Sequence, residues 1–262
     1  MEIGLLYLLL GMFAGVAAGL LGIGGGLIIV PVLVFIFQQQ QFNGPVIVHL
    51  AVGTSLATIV LTSIASVRSH HQHGAVLWPV FARMAPAIVL GALLGSVIAD
   101  GMPTRVLKWV FAIFELTVAT QMILAYRPNP HRGLPDWPGL SLAGGLIGAV
   151  SAIVGIGGGT MTVPFLVWCN VAMRKAVATA AACGLPIALA GATGFIVTGW
   201  NEPGLPAGSS GYVYWPAFIG IVASSVLFAP LGARLAHRLP AAQLKRIFAL
   251  LLYALGIRML LG

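Results

Sequence analysis

The chain has 262 residues, of which 59% are hydrophobic and 7% charged, against roughly 25% charged in an ordinary soluble domain. Its mean hydropathy is +1.03. So few charges cannot coat a water-soluble fold of this length, which excludes a cytosolic enzyme, a nucleic-acid module and a disordered chain. What remains is an all-α polytopic membrane bundle. At about 20 residues per span, the chain holds about eight full helical crossings, or a few more if some are partial.

The net charge of +8 comes from 13 Lys and Arg against 5 Asp and Glu. The cations sit in connectors between apolar runs, so they speak for membrane topology and not for a nucleic-acid partner. Cys169 and Cys183 form no CxxC pair and suggest no disulfide framework. The N-terminal apolar stretch has no basic leader segment and reads as the first membrane segment rather than a removable signal.

In chain order, apolar runs fall near 3–21, 27–37, 48–67, 76–99, 105–125, 139–154, 160–168, 176–198, 212–233 and 244–261. The stretch 126–138, rich in proline and carrying Arg127, Arg132 and Asp136, is the one clearly polar internal connector. It separates a first transmembrane repeat, 1–126, from a second, 139–262, with 127–138 as the link.

The halves resemble each other. Gly11, Gly15, Gly22, Gly24, Gly25, Gly26 and Pro31 recur 133 positions later as Gly144, Gly148, Gly155, Gly157, Gly158, Gly159 and Pro164. Ala51-Val52-Gly53-Thr54 returns as Ala176-Val177-Ala178-Thr179, and Trp78-Pro79 returns as Trp215-Pro216. Chance apolar similarity does not reproduce a glycine cluster, a proline and a Trp-Pro in one order. In membranes such duplication usually marks a transporter.

Gly24-Gly25-Gly26 interrupts the apolar stretch 3–37. Each glycine costs about 1 kcal/mol relative to alanine in a helix interior, so a continuous helix is not expected. Either two half-helices make one crossing, or the chain turns back at the glycines. If it turns back, the repeats are inverted. One face then carries ten cations: Arg68, Arg83, Arg127, Arg132, Arg174, Lys175, Arg234, Arg238, Lys245 and Arg246. The other carries three: Arg105, Lys108 and Arg258. A single net crossing per glycine segment splits the cations eight against five. The sharper bias favours inverted repeats built on re-entrant or half-spanning helices. The ten-cation face is then cytoplasmic and both termini lie outside.

GLLGIGGGLIIVPVL (19–33) and AIVGIGGGTMTVPFL (152–166), with HLAVGTSLATI (49–59) and RKAVATAAACG (174–184) after them, resemble the paired motifs of the sulfite exporter TauE/SafE family. The resemblance covers nearly the whole chain. It implies a multi-pass carrier in the cell (inner or plasma) membrane for sulfite, organosulfonates or related small anions, with no cofactor. It leaves the anion, the direction, the coupling ion and the oligomeric state open.

The residues themselves point to the same chemistry. A helix broken near mid-membrane at Gly24, Gly25, Gly26 and again at Gly157, Gly158, Gly159 exposes backbone N–H groups to a ligand. The helix that follows aims its positive end there. The alternative is close helix packing through small residues, the expected role of Gly11, Gly15, Gly91 and Gly95. Hydroxyls at Thr54, Ser55, Thr58 and Thr179 suit an oxyanion as donors, or merely back-bond to a carbonyl. Repeat two replaces Ser55 with Ala180 and Thr58 with Cys183, so the site is asymmetric. Glu115 lies near the centre of an apolar run, where a carboxylate must be protonated, paired or wet. It is the candidate for a coupling proton, with an ion pair to Arg83 as the alternative.

Arg68, His70, His71 and His73 have poor metal-site spacing and read as a solvated loop. No Ser-His-Asp set, HExxH or P-loop occurs, so an enzyme is not expected, and the driving force falls to an ion gradient or the membrane potential. Two other readings remain: a non-transporting accessory or anion-sensing membrane protein, and a thiol enzyme using Cys169 and Cys183.

Overall fold

A computed structural model describes residues 2–21, 25–124, 133–236 and 241–261. Among them are ten α-helices: α1 (Glu2–Leu21), α2 (Gly26–Gln39), α3 (Ile47–Gln72), α4 (Trp78–Asp100), α5 (Thr104–Ile123), α6 (Trp137–Val154), α7 (Gly159–Trp168), α8 (Met173–Thr198), α9 (Trp215–Ala236) and α10 (Ala241–Leu261). Each apolar run in the sequence is a helix. Over the described residues α3, α4, α5, α6 and α8 are long and apolar enough to cross a bilayer, while α2 and α7 are short apolar helices. The protein is a multi-pass membrane helical bundle.

The chain breaks at both glycine clusters. α6 ends at Val154 because Gly155 adopts φ 76°, a left-handed conformation that stops the helix. Gly158 then caps the start of α7, and Gly25 caps the start of α2. Gly22, Ile23 and Gly24 lie outside the described residues. α2 folds back along α1, so that Gln40 donates a 2.6 Å hydrogen bond to the Tyr7 hydroxyl.

α3 and α8 form the centre of the bundle and run antiparallel. Gly53 lies against Phe195, Gly191 against Leu56, and Gly184 against Ser63. Around them, α1 packs along α9 and α6 along α4, each pair parallel and pressed close by glycine. A Cβ on Gly15 would sit 2.6 Å from the Ser225 carbonyl oxygen, and one on Gly144 would sit 2.8 Å from that of Met84. Gly11, Gly91 and Gly95 meet neighbouring backbone in the same way, the packing role expected of them. α5 packs on α10. The outer faces carry Leu90, Leu94, Leu227 and Leu250, all well exposed, as a lipid-facing surface requires.

Three boundaries differ from the sequence reading. Arg68, His70 and His71, read as a loop, lie in the last turns of α3, which runs past its apolar stretch to Gln72. Trp137-Pro138 belongs to α6 and not to the connector, because proline fits the first helical turn, where its missing N–H is not needed. Residues 212–214 are not helical. Ser209–Ser210 pairs antiparallel with Val213–Tyr214 as β1 and β2, a small hairpin before α9. Gly208 and Gly211 supply its left-handed positions.

Candidate functional site

The two glycine breaks meet. A Cβ on Gly26 would lie 2.6 Å from the carbonyl oxygen of Gly155 and 3.0 Å from Cα of Ile156. One on Gly155 would lie 3.0 Å from Val30 and 3.1 Å from the backbone of Val52. Only hydrogen fits on Gly26, and at Gly155 the left-handed φ of 76° disfavours any side chain. Ser55 on α3 fastens the junction, donating from its hydroxyl to the Gly155 carbonyl oxygen at 2.8 Å. Thr58, one turn on, donates to the Ser55 carbonyl at 2.7 Å.

A cavity of about 480 Å³ adjoins this junction. Gly25 borders it from the first break, and Gly157 and Gly159 from the second. It extends along α3 from Thr58 to His70, with Ala14, Ile29, Ala180 and Val226 among its apolar walls. α2 and α7 start at its edge from glycine caps, and no side chain caps either helix. Backbone carbonyls already take the first-turn N–H groups of Ile28, Gly159 and Met161, so what the two starts offer an anion is their positive helix ends and the remaining amides.

Among the described candidates, Gly25, Thr58, Gly157 and Gly159 line the cavity, whereas Gly26, Gly158, Thr54, Ser55 and Thr179 do not. Gly24 lies outside the described residues. Thr54 and Thr179 serve the backbone instead. The Thr54 hydroxyl accepts from the N–H of Tyr214 at 3.0 Å, and the Thr179 hydroxyl accepts from the N–H of Leu77 at 3.0 Å. Each pins the residue just before a Trp-Pro helix start in the other half of the chain.

Glu115 is fully buried, and neither carboxyl oxygen has a hydrogen-bond partner. It therefore has no ion pair with Arg83. It lies where α5 meets α10, and a Cβ on Gly256 would come within 3.5 Å of its Oε2. The second hairpin carries three more unpartnered polar atoms, the hydroxyl oxygens of Ser151, Thr160 and Thr162. The matched residues of the first are Ala18, Leu27 and Ile29.

Sequence reasoning missed the lower wall of the cavity: Thr62, Ser63, Ser66, Ser69 and His70. The signal was there, since positions 58, 62, 66 and 69 fall on one helix face. Tyr212, at the hairpin, stacks its ring on His49 with centroids 5.1 Å apart and donates to Asp100 at 3.0 Å. Burial, and then the Asp100 carboxylate, hold the Tyr212 phenol above its ordinary range, so it stays protonated as that donor.

The sequence model of the sulfite exporter TauE/SafE family matches residues 7–259. A Haemophilus influenzae protein named "Probable membrane transporter protein" is 38% identical over 98% of this chain and 98% of its own length. A Methanocaldococcus jannaschii protein of the same description is 27% identical over 98% of this chain and 95% of its own. A Xylella fastidiosa relative, again so named, is 29% identical over 94% and 91%. No solved structure matches the chain. A bundle of apolar helices, broken at two glycine clusters that meet beside a cavity, thus carries a family match over nearly its full length. The chain belongs to the sulfite exporter TauE/SafE family and is a multi-pass membrane transporter rather than an enzyme.

Proposed function

We propose that the protein carries a small sulfur-containing oxyanion, sulfite or an organosulfonate, by alternating access around the two glycine breaks. The observation that carries this reading is their meeting: Gly26 abuts Gly155 and Ile156, and both breaks border the cavity that Thr58 lines. Backbone amides at two uncapped helix starts suit a solute with several oxygens and a negative charge. The spare hydroxyls of Ser151, Thr160 and Thr162 add donors beside the second break.

The repeats are inverted in this reading. Three features support it: the antiparallel crossing of the matched helices α3 and α8, the matched pairs α1 with α9 and α6 with α4, and the reciprocal pins at Thr54 and Thr179. The cavity then opens to the ten-cation, cytoplasmic side, and rocking of the repeats would open the other. Glu115, buried and unpartnered, is the carrier of a coupling proton, at a distance from the solute.

The test is flux of labelled sulfite and of a labelled organosulfonate into proteoliposomes holding this chain alone, with a thermal-shift screen of the same anions. A transported anion raises the unfolding temperature, because it prefers the folded state. Flux that follows an imposed proton gradient in the wild type and ignores it in Glu115→Gln supports the proton role. Anion binding without flux points to a sensor, and neither binding nor flux removes the oxyanion reading.

A further inference from the structure

α3 carries hydroxyls that no role above uses. Below Thr58, the residues Thr62, Ser66 and Ser69 follow at intervals of four, four and three, so they stack along one helix face. All three line the cavity, and His70 ends the row. His73 and Arg174 lie within electrostatic reach of His70. No Asp or Glu is among the described residues that line the cavity.

The matched face of α8 is different. Thr58, Thr62, Ser66 and Ser69 correspond to Cys183, Ile187, Gly191 and Gly194, none of which carries a hydroxyl. Those residues are buried, with Gly191 against Leu56 and Gly194 against Ser96. The row on α3 therefore has no counterpart on the matched face of α8.

We propose that the α3 row is an oxyanion transit lane, a second set of binding residues reaching from the glycine breaks to a mouth at His70, where Arg174 supplies the positive charge. Each hydroxyl can donate to an anion oxygen as the solute loses the backbone amides. Thr62 otherwise back-bonds to the carbonyl of Ile59 at 3.2 Å, so its hydroxyl has a resting partner to return to. The sign of the lane follows from its charges. Hydroxyls serve cations and anions alike, but the fixed charge beside the mouth is the Arg174 guanidinium, and no carboxylate is among the described residues of the wall. Such a cleft concentrates anions. The opposite half-path, along α8, offers no such row, so the solute leaves or enters by chemically unequal routes. This inference rests on the oxyanion reading above.

Thiol modification tests it. Ser66→Cys and Ser69→Cys change one atom each, and both native cysteines are buried, so the unsubstituted protein is the blank. The probes are a sulfonate-bearing methanethiosulfonate and its trimethylammonium counterpart, of similar size. We expect the anionic probe to react about tenfold faster than the cationic one, after correction for a free thiol in solution. His70→Ala with Arg174→Ala should erase that preference. Equal rates, a cationic preference or no reaction at either cysteine overturns the lane. Flux of labelled sulfite and of a labelled organosulfonate in proteoliposomes is scored separately. Preference without flux removes the sulfur-anion reading and keeps the lane, and flux without preference removes the lane alone.

Discussion

Gly26 owes its identity to the Gly155 carbonyl beside it, and Gly155 owes its own to its left-handed φ of 76°. A methyl group on Gly26 would press on the Gly155 carbonyl oxygen, which is backbone and cannot swing away. Gly26→Ala should therefore cost about 1–3 kcal/mol of stability, as overpacking does, and should abolish transport. A Cβ on Gly4 would meet nothing within 4 Å, so Gly4→Ala is the matched control. Thermal unfolding in detergent and flux in proteoliposomes read both variants. Equal stability and equal flux would mean that the breaks do not need to touch. Glycine clusters were legible in the sequence as breaks, because three glycines cannot hold a helix interior. That the first break abuts the second was not legible, since the residues lie 129 apart in the chain.

Among the elements, the connectors are the telling parts. The α3–α4 link and the β1–β2 hairpin each precede a Trp-Pro helix start, and each is pinned by a threonine of the opposite half of the chain. Thr54→Val keeps the shape and removes the acceptor for the Tyr214 amide; Thr179→Val does the same for Leu77. An unpaired buried amide costs about 1–3 kcal/mol. Each variant should lower the unfolding temperature, with serine at the same place restoring it. Valine variants as stable as the wild type would show that the pins contribute nothing. The apolar runs alone placed the helices to within a turn or so, because a bilayer demands long apolar runs. They could not assign Thr54 and Thr179, whose hydroxyls look alike whether they meet a solute or a backbone amide. The hairpin was missed for a related reason: Tyr212, Val213 and Tyr214 are apolar enough to pass for the start of α9.

For the molecule as a whole, rocking requires that the repeats move against each other, and α3 and α8 cross at their boundary. A Cβ on Gly184 would lie 3.3 Å from the Ser63 hydroxyl oxygen, within the geometry that a disulfide tolerates. Ser63→Cys with Gly184→Cys should lose flux on oxidation and regain it on reduction. Flux that ignores oxidation, with the bond formed, would show that α3 and α8 travel together and that the moving boundary lies elsewhere. Length, hydropathy and duplication are properties of the chain itself, and each reflects a local constraint: lipid accepts only helices whose backbone is satisfied within the segment. Class, helix number, the paired breaks and the family motifs were therefore readable residue by residue. The joining of the breaks, the burial of Glu115 away from the cavity, the swapped threonine pins and the hydroxyl row facing the cavity depend on which helix faces meet. Packing between segments far apart in sequence settles that, because it is decided by shape in three dimensions.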